Sequence, residues 1–214
     1  MNAFFKMTEV SSTDCPLKEI AKSICKEGIN TKSLDAPIVK DLANEKSAES
    51  FDTEKIEKKT RRPESNGNWE GEPGNSVWHP DPEYVPPEKS KNPDKPYSNP
   101  DSLSWREILN KYGIDGVEFK NGFPVFDEVS KATVKIEGFA TGGNDAKIQN
   151  FAKADKALAE QYSCRPEDVR AWRKENNYTW HECEDKETMQ LVPNEIHANI
   201  SHDGGRSRDK EASQ

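Results

Sequence analysis

No stretch of this chain approaches the roughly 18 consecutive apolar residues that a membrane helix requires, so no membrane insertion is expected. The opening Met-Asn-Ala-Phe-Phe-Lys lacks the apolar core of a cleaved signal peptide. Any export is therefore expected to use another route, or the chain to be part of something longer. Paired cysteines are also missing. Cys15, Cys25, Cys164 and Cys183 are widely spaced and form no CxxC motif, which reads as reduced thiols rather than a disulfide framework. Apolar residues are few, at 32% against 33% charged. That is too polar for all 214 residues to share one tight core, so part of the chain is expected to be extended or mobile. Positive charge is in deficit, with a formal net charge of −8. This excludes a protein that coats nucleic acid by charge alone. It leaves room for a nuclease that grips phosphates through a metal and a few placed basic residues.

Histidine is scarce too, and its distribution is informative. Three of the four histidines, His181, His197 and His202, fall within 22 residues near the C-terminus. Neutral imidazole is the commonest protein metal ligand. The fourth, His79, reads as a surface-loop residue.

Along the chain the organisation shifts several times. Leu17, Ile20, Ala21, Ile24 and Cys25 recur at helical spacing, and a mixed-charge stretch follows, ending at Lys58-Lys59-Thr-Arg61-Arg62. Residues 1–62 read as a helical and linker leader, partly disordered. Residues 63–100 hold nine of the fourteen prolines. Neither helix nor central strand is expected there. The region reads as an extended strap pinned by the rings of Trp69, Trp78, Tyr84 and Tyr97. Residues 101–206 read as the folded domain, and 207–214 as a disordered tail.

Within the folded domain, Leu103–Tyr112 reads as a helix capped by Asp101 or Ser102 and stopped at Gly113. Alternating apolar residues around Asn121-Gly122 predict a hairpin. Ala132–Phe139 reads as a strand. Residues 144–161 read as a helix with Ile148, Phe151, Ala152, Leu158 and Ala159 as its apolar stripe. Another helix begins at Pro166. Tyr178–His181 reads as a strand, Cys183–Glu187 as a turn, and Thr188–Val192 as the returning strand. Asn194 then caps a short helix carrying His197. His197 and His202 are five apart, a rotation of about 500° on a helix, so the helix must end near Ile200. His202 then comes from the turn before Gly204-Gly205, where glycines let the backbone bend.

Two strands and a short helix presenting histidines describe a ββα-metal finger. The fold class expected is α+β, with this C-terminal finger packed on a small helix and hairpin body and an extended N-terminal region. Tyr178-Thr-Trp-His181, Met189-Gln-Leu-Val-Pro193, Ile196-His197 and His202-Asp-Gly-Gly205 resemble the HNH/endonuclease VII superfamily, in its WHH nuclease-toxin branch. Fainter likeness extends over roughly residues 69–206.

The resemblance implies a polymorphic bacterial toxin domain that cleaves DNA in rival cells with the help of one divalent ion, Mg²⁺ or Zn²⁺, or else Ni²⁺ or Mn²⁺. It implies delivery by a specialised secretion system or as the C-terminal part of a larger effector, action in the target-cell cytoplasm, and a cognate immunity protein. An acidic chain suits a basic partner of that kind. The family pattern reads Trp-His-His, whereas this chain has Trp180-His181-Glu182. Transfer residue by residue makes His181, His197 and His202 metal ligands and puts Glu182 in the general-base position. Adjacent strand residues face opposite ways, so a second assignment stays open. In it His181 is the base, and the metal rests on His197, His202 and an acid such as Glu182, Glu184 or Asp185. Arg206 and Arg208 are candidates to hold a neighbouring phosphate. Two other readings compete: an RNase of the same fold, and a non-catalytic zinc-stapled interaction module using His181, His197, His202 and Cys183.

Overall fold

The computed structural model describes residues 60–89 and 97–206. The expected N-terminal amphipathic helix, Arg208 and the tail lie outside the described residues. Within them the fold is α+β. The order is β1 (Gly67–Trp69), β2 (Val77–Pro80), α1 (Trp105–Tyr112), β3 (Val117–Lys120), β4 (Phe123–Val125), β5 (Ala132–Lys135), α2 (Asn144–Gln161), α3 (Pro166–Glu175), β6 (Tyr178–Glu182), β7 (Thr188–Pro193) and α4 (Asn194–His197). Two antiparallel sheets form, one ordered β1-β2-β3-β4 and the other β5-β7-β6.

The strap corrects the sequence reading. Residues expected to hold no central strand supply β2, which pairs with β1 on one side and β3 on the other. The prolines flank the strands rather than interrupt them, and Pro80 closes β2 opposite Gly67. Trp69 packs on Trp78 and Phe119 at 5.3 and 5.0 Å between ring centroids. Tyr97 is instead an exposed ring, and its carbonyl accepts from Asn194 Nδ2 at 2.7 Å. His79 lies in β2 rather than in a loop, with Nδ1 3.1 Å from the Asp115 carbonyl.

Helix α1 starts two residues later than expected. Ser104 is its N-cap and forms a capping box with Glu107, and Gly113 ends it. The β3–β4 hairpin turns at Asn121 and Gly122, with φ of 52° and 80°. Two consecutive positive φ values are what the tight turn needs, and Asn-Gly adopts them at least cost. Strand β5 ends at Lys135, short of the expected Phe139. Ile148 is 65% exposed, so it is not part of the buried face of α2. Ala146, Asn150, Ala154, Asp155, Leu158 and Ala159 form that face.

The period of two along β7 divides the core. Met189 and Leu191 pack with Trp180, Val134, Leu158, Val169 and Trp172 against α2 and α3. Val192 points the other way and joins Ile196, Phe126, Ile108, Trp105 and Trp78. The three-stranded sheet thus has an apolar core on each face. A buried ion pair fixes its edge strand. Asp155 accepts from Arg173 Nε and Nη2 at 2.7 and 2.8 Å and from Trp180 Nε1 at 2.8 Å. Removing one partner of such a pair costs about 3–5 kcal/mol, since the other is left buried and uncompensated. Asp155 therefore holds Trp180, and with it the strand carrying His181.

Candidate metal centre

The histidines come together from three short segments. Pairing of β6 with β7 sets His181 opposite Gln190 and Trp180 opposite Leu191. Trp180 and Glu182 therefore share one face and both meet α2, Trp180 through Asp155 and Glu182 through Asn150. His181 takes the opposite face, and only 2% of it is exposed. Helix α4 delivers His197. The helix is pinned by Glu195, whose buried carboxylate accepts from Lys111 Nζ at 2.8 Å and Tyr112 Oη at 2.7 Å. Burial, and then the Glu195 carboxylate, push the Tyr112 hydroxyl far above its usual range, so it stays a donor. The helix ends at His197, earlier than expected, and His202 follows in the turn beyond it.

One ligand atom from each of His181, His197 and His202 lies within 4.8 Å of the other two. His181 Nδ1 is 3.4 Å from His197 Nε2. His202 Nδ1 is 2.8 Å from the Ile200 carbonyl. A carbonyl only accepts, so Nδ1 carries the proton and Nε2 keeps its lone pair for the cluster. Burial lowers the pKa of all three imidazoles. Mutual repulsion lowers those of His181 and His197 further. All three are thus neutral near pH 7, the form that binds a cation.

The ring of Phe126 lies against all three imidazoles, with centroids 4.9, 5.8 and 5.5 Å from His181, His197 and His202. Phe126 follows β4, so the four-stranded sheet supplies the floor of the centre. The next residue, Asp127, accepts from Gln190 Nε2 at 2.6 Å, which ties that floor to the strand opposite His181. Sequence reasoning missed Phe126 as a site residue. Its only signal was an apolar residue at a strand end.

A cavity of about 400 Å³ opens over the histidines. Glu182 borders it, with Oε1 accepting from Asn150 Nδ2 at 2.8 Å and Oε2 from Arg206 Nε at 3.0 Å. Arg206 also donates from Nη1 to the carbonyls of Gly142 and Gly143. The glycine pair has a different purpose from the bend expected. A Cβ at Gly205 would stand 2.1 Å from the Cys183 carbonyl oxygen, and one at Gly204 would stand 2.8 Å from that of Glu182. Close approach to β6 requires both glycines, and this brings Arg206 to Glu182. Asp185 is used in the hairpin turn, accepting from the backbone of Glu187 and Thr188. Cys183 does not join the histidine group, and burial pushes its thiol up to about 12.

Residues 116–204 match the family model of the DNase/tRNase domain of colicin-like bacteriocins. The match runs from the start of β3 through every histidine of the cluster, and it supports a nuclease toxin domain acting on nucleic acid. No curated protein matches the chain. Among the described residues, no helix is long and apolar enough to cross a membrane.

Proposed function

We propose that this chain is a metal-dependent endonuclease toxin that hydrolyses DNA phosphodiester bonds in rival bacterial cells and is neutralised by a cognate immunity protein. The observation that carries the reading is the cluster of three neutral imidazoles at the base of a cavity, inside a segment similar to bacteriocin nucleases. His181, His197 and His202 are the proposed ligands. The donor set fits one divalent ion, since three imidazole nitrogens converge and leave room for exchangeable positions. Imidazole suits Zn²⁺ and Ni²⁺ better than Mg²⁺. A bound ion supplies the Lewis acidity that polarises a phosphate oxygen and neutralises charge on the leaving 3′ oxygen.

The chain's own groups do the rest. Glu182 is the proposed base: although it faces the other side of β6 from His181, it lines the same cavity, where it would take a proton from the water that attacks phosphorus in line. Asn150 and Arg206 fix the orientation of its carboxylate. Arg206 is the proposed contact to a neighbouring phosphate. Its Nη2 has no hydrogen-bond partner among the described residues, which fits that role.

Supercoiled plasmid and transfer RNA, offered side by side to the purified protein with a divalent metal, test the substrate. Nicked and linear plasmid with intact RNA is the expected result. Degraded RNA with intact plasmid would transfer the same site to RNA hydrolysis.

A further inference from the structure

The charge around the cavity runs against that of the chain. The protein carries a formal −8, yet the charged side chains lining the cavity are Arg61, Lys89, Lys147 and Arg206 against the single acid Glu182. Asp203, which pairs with Arg61 from outside the lining, leaves cations in excess. Such a surface in an acidic protein is a local track for a polyanion.

Two of these cations lie outside the matched segment 116–204, Arg61 at the end of the leader and Lys89 in the strap. Their backbones are held in place. Arg61 N donates to Asp203 Oδ2 at 2.8 Å. Lys89 N donates to Ser98 Oγ at 2.7 Å, and the neighbouring Glu88 carboxylate accepts from the backbone of Ser98 and Asn99. Between them, β1 and β2 bind the strap into the four-stranded sheet. Each cation also sits beside a residue adjoining a histidine. Arg61 Nε is 3.4 Å from Asp203, next to His202, with the arginine side chain 72% exposed. Lys89 Nζ donates to the Ala198 carbonyl, next to His197, at 2.7 Å. Lys89 lies on the exposed surface, and partial desolvation of its ammonium, countered in part by the Glu88 carboxylate, lowers its pKa. An anionic ligand would offset that desolvation.

Building on the nuclease reading, we propose that Arg61 and Lys89 bind the DNA phosphates flanking the one at the histidine cluster. The strap is then a wall of the substrate groove, and the working nuclease includes residues 60–89 as well as the segment resembling bacteriocin nucleases. Both residues are binding residues, remote from the bonds that break.

The full chain carrying Arg61→Ala with Lys89→Gln is the test, because glutamine keeps a donor for the Ala198 carbonyl. Binding of a fluorescein-labelled DNA duplex is followed in EDTA across a potassium chloride series, beside steady-state plasmid nicking. The double variant is expected to raise KM about 10- to 100-fold with kcat within about twofold. Its log–log salt slope should be shallower by about two, close to one per lost phosphate contact. Arg61→Lys with Lys89→Arg should restore both, and the melting temperature should not move. A double variant with wild-type KM and salt slope, from a wild type that cleaves, would overturn this assignment and leave the nuclease intact. A wild type inert towards DNA and RNA with every metal would overturn both.

Discussion

His197→Ala is expected to abolish stoichiometric metal binding and to lower plasmid cleavage by about a thousandfold or more. Removing a ligand takes away the Lewis acid together with the charge it places against the leaving oxygen, and losses of that size accompany lost transition-state electrostatics. The fold should survive the change. His197 is the last residue of α4, whose position is set by Glu195 with Lys111 and Tyr112 and by Ile196 in the core. Calorimetric titration of Zn²⁺ and a melting curve on the same sample separate the two effects. Lost metal binding with a melting temperature near that of metal-free wild type is the expected pair. Metal binding retained at wild-type affinity would remove His197 from the ligand set.

Glu182→Gln should behave differently. Glutamine keeps the shape and an acceptor for Asn150 and Arg206, but it cannot take a proton. A lost general base costs about 10²- to 10⁴-fold. The expected result is a fall of that order in kcat with metal affinity unchanged. If metal affinity fell as well, Glu182 would belong to the ligand set. If kcat held, the base would lie elsewhere, and His181 would be the next to test. The contrast is informative because the two residues are adjacent on β6 and face opposite sides of the sheet.

Much of the fold was legible because its signals are local. Asn121-Gly122 fixes the hairpin, Pro166 opens α3, Gly113 stops α1, and the run Thr188–Val192 marks β7, which extends one residue further to Pro193. The histidine cluster was legible for a similar reason, since hairpin and short helix bring 181, 197 and 202 together over few residues. What escaped was non-local. The strap strand β2 depends on pairing with β3, nearly forty residues away, and its prolines disguised it. Phe126 enters the site from the other sheet, and Asn150 reaches Glu182 from the middle of α2. Ile148 misled because its spacing fits the stripe of α2 while the helix turns Asn150 and Asp155 inward, where ionic and amide partners await them. Period alone cannot reveal a polar residue that is buried because its partner is buried too.

The central claim is that three histidines hold one divalent ion that cleavage requires. The most direct test is titration of metal-free protein with Zn²⁺, Ni²⁺, Mn²⁺ or Mg²⁺ while following both bound metal and the nicking of supercoiled plasmid. Nicking that rises with occupancy, levels at one equivalent for at least one metal, and vanishes with EDTA is the predicted result. Plasmid cleaved at full rate by protein holding no metal, or one tightly bound zinc with no cleavage of DNA or RNA under any metal, would contradict it.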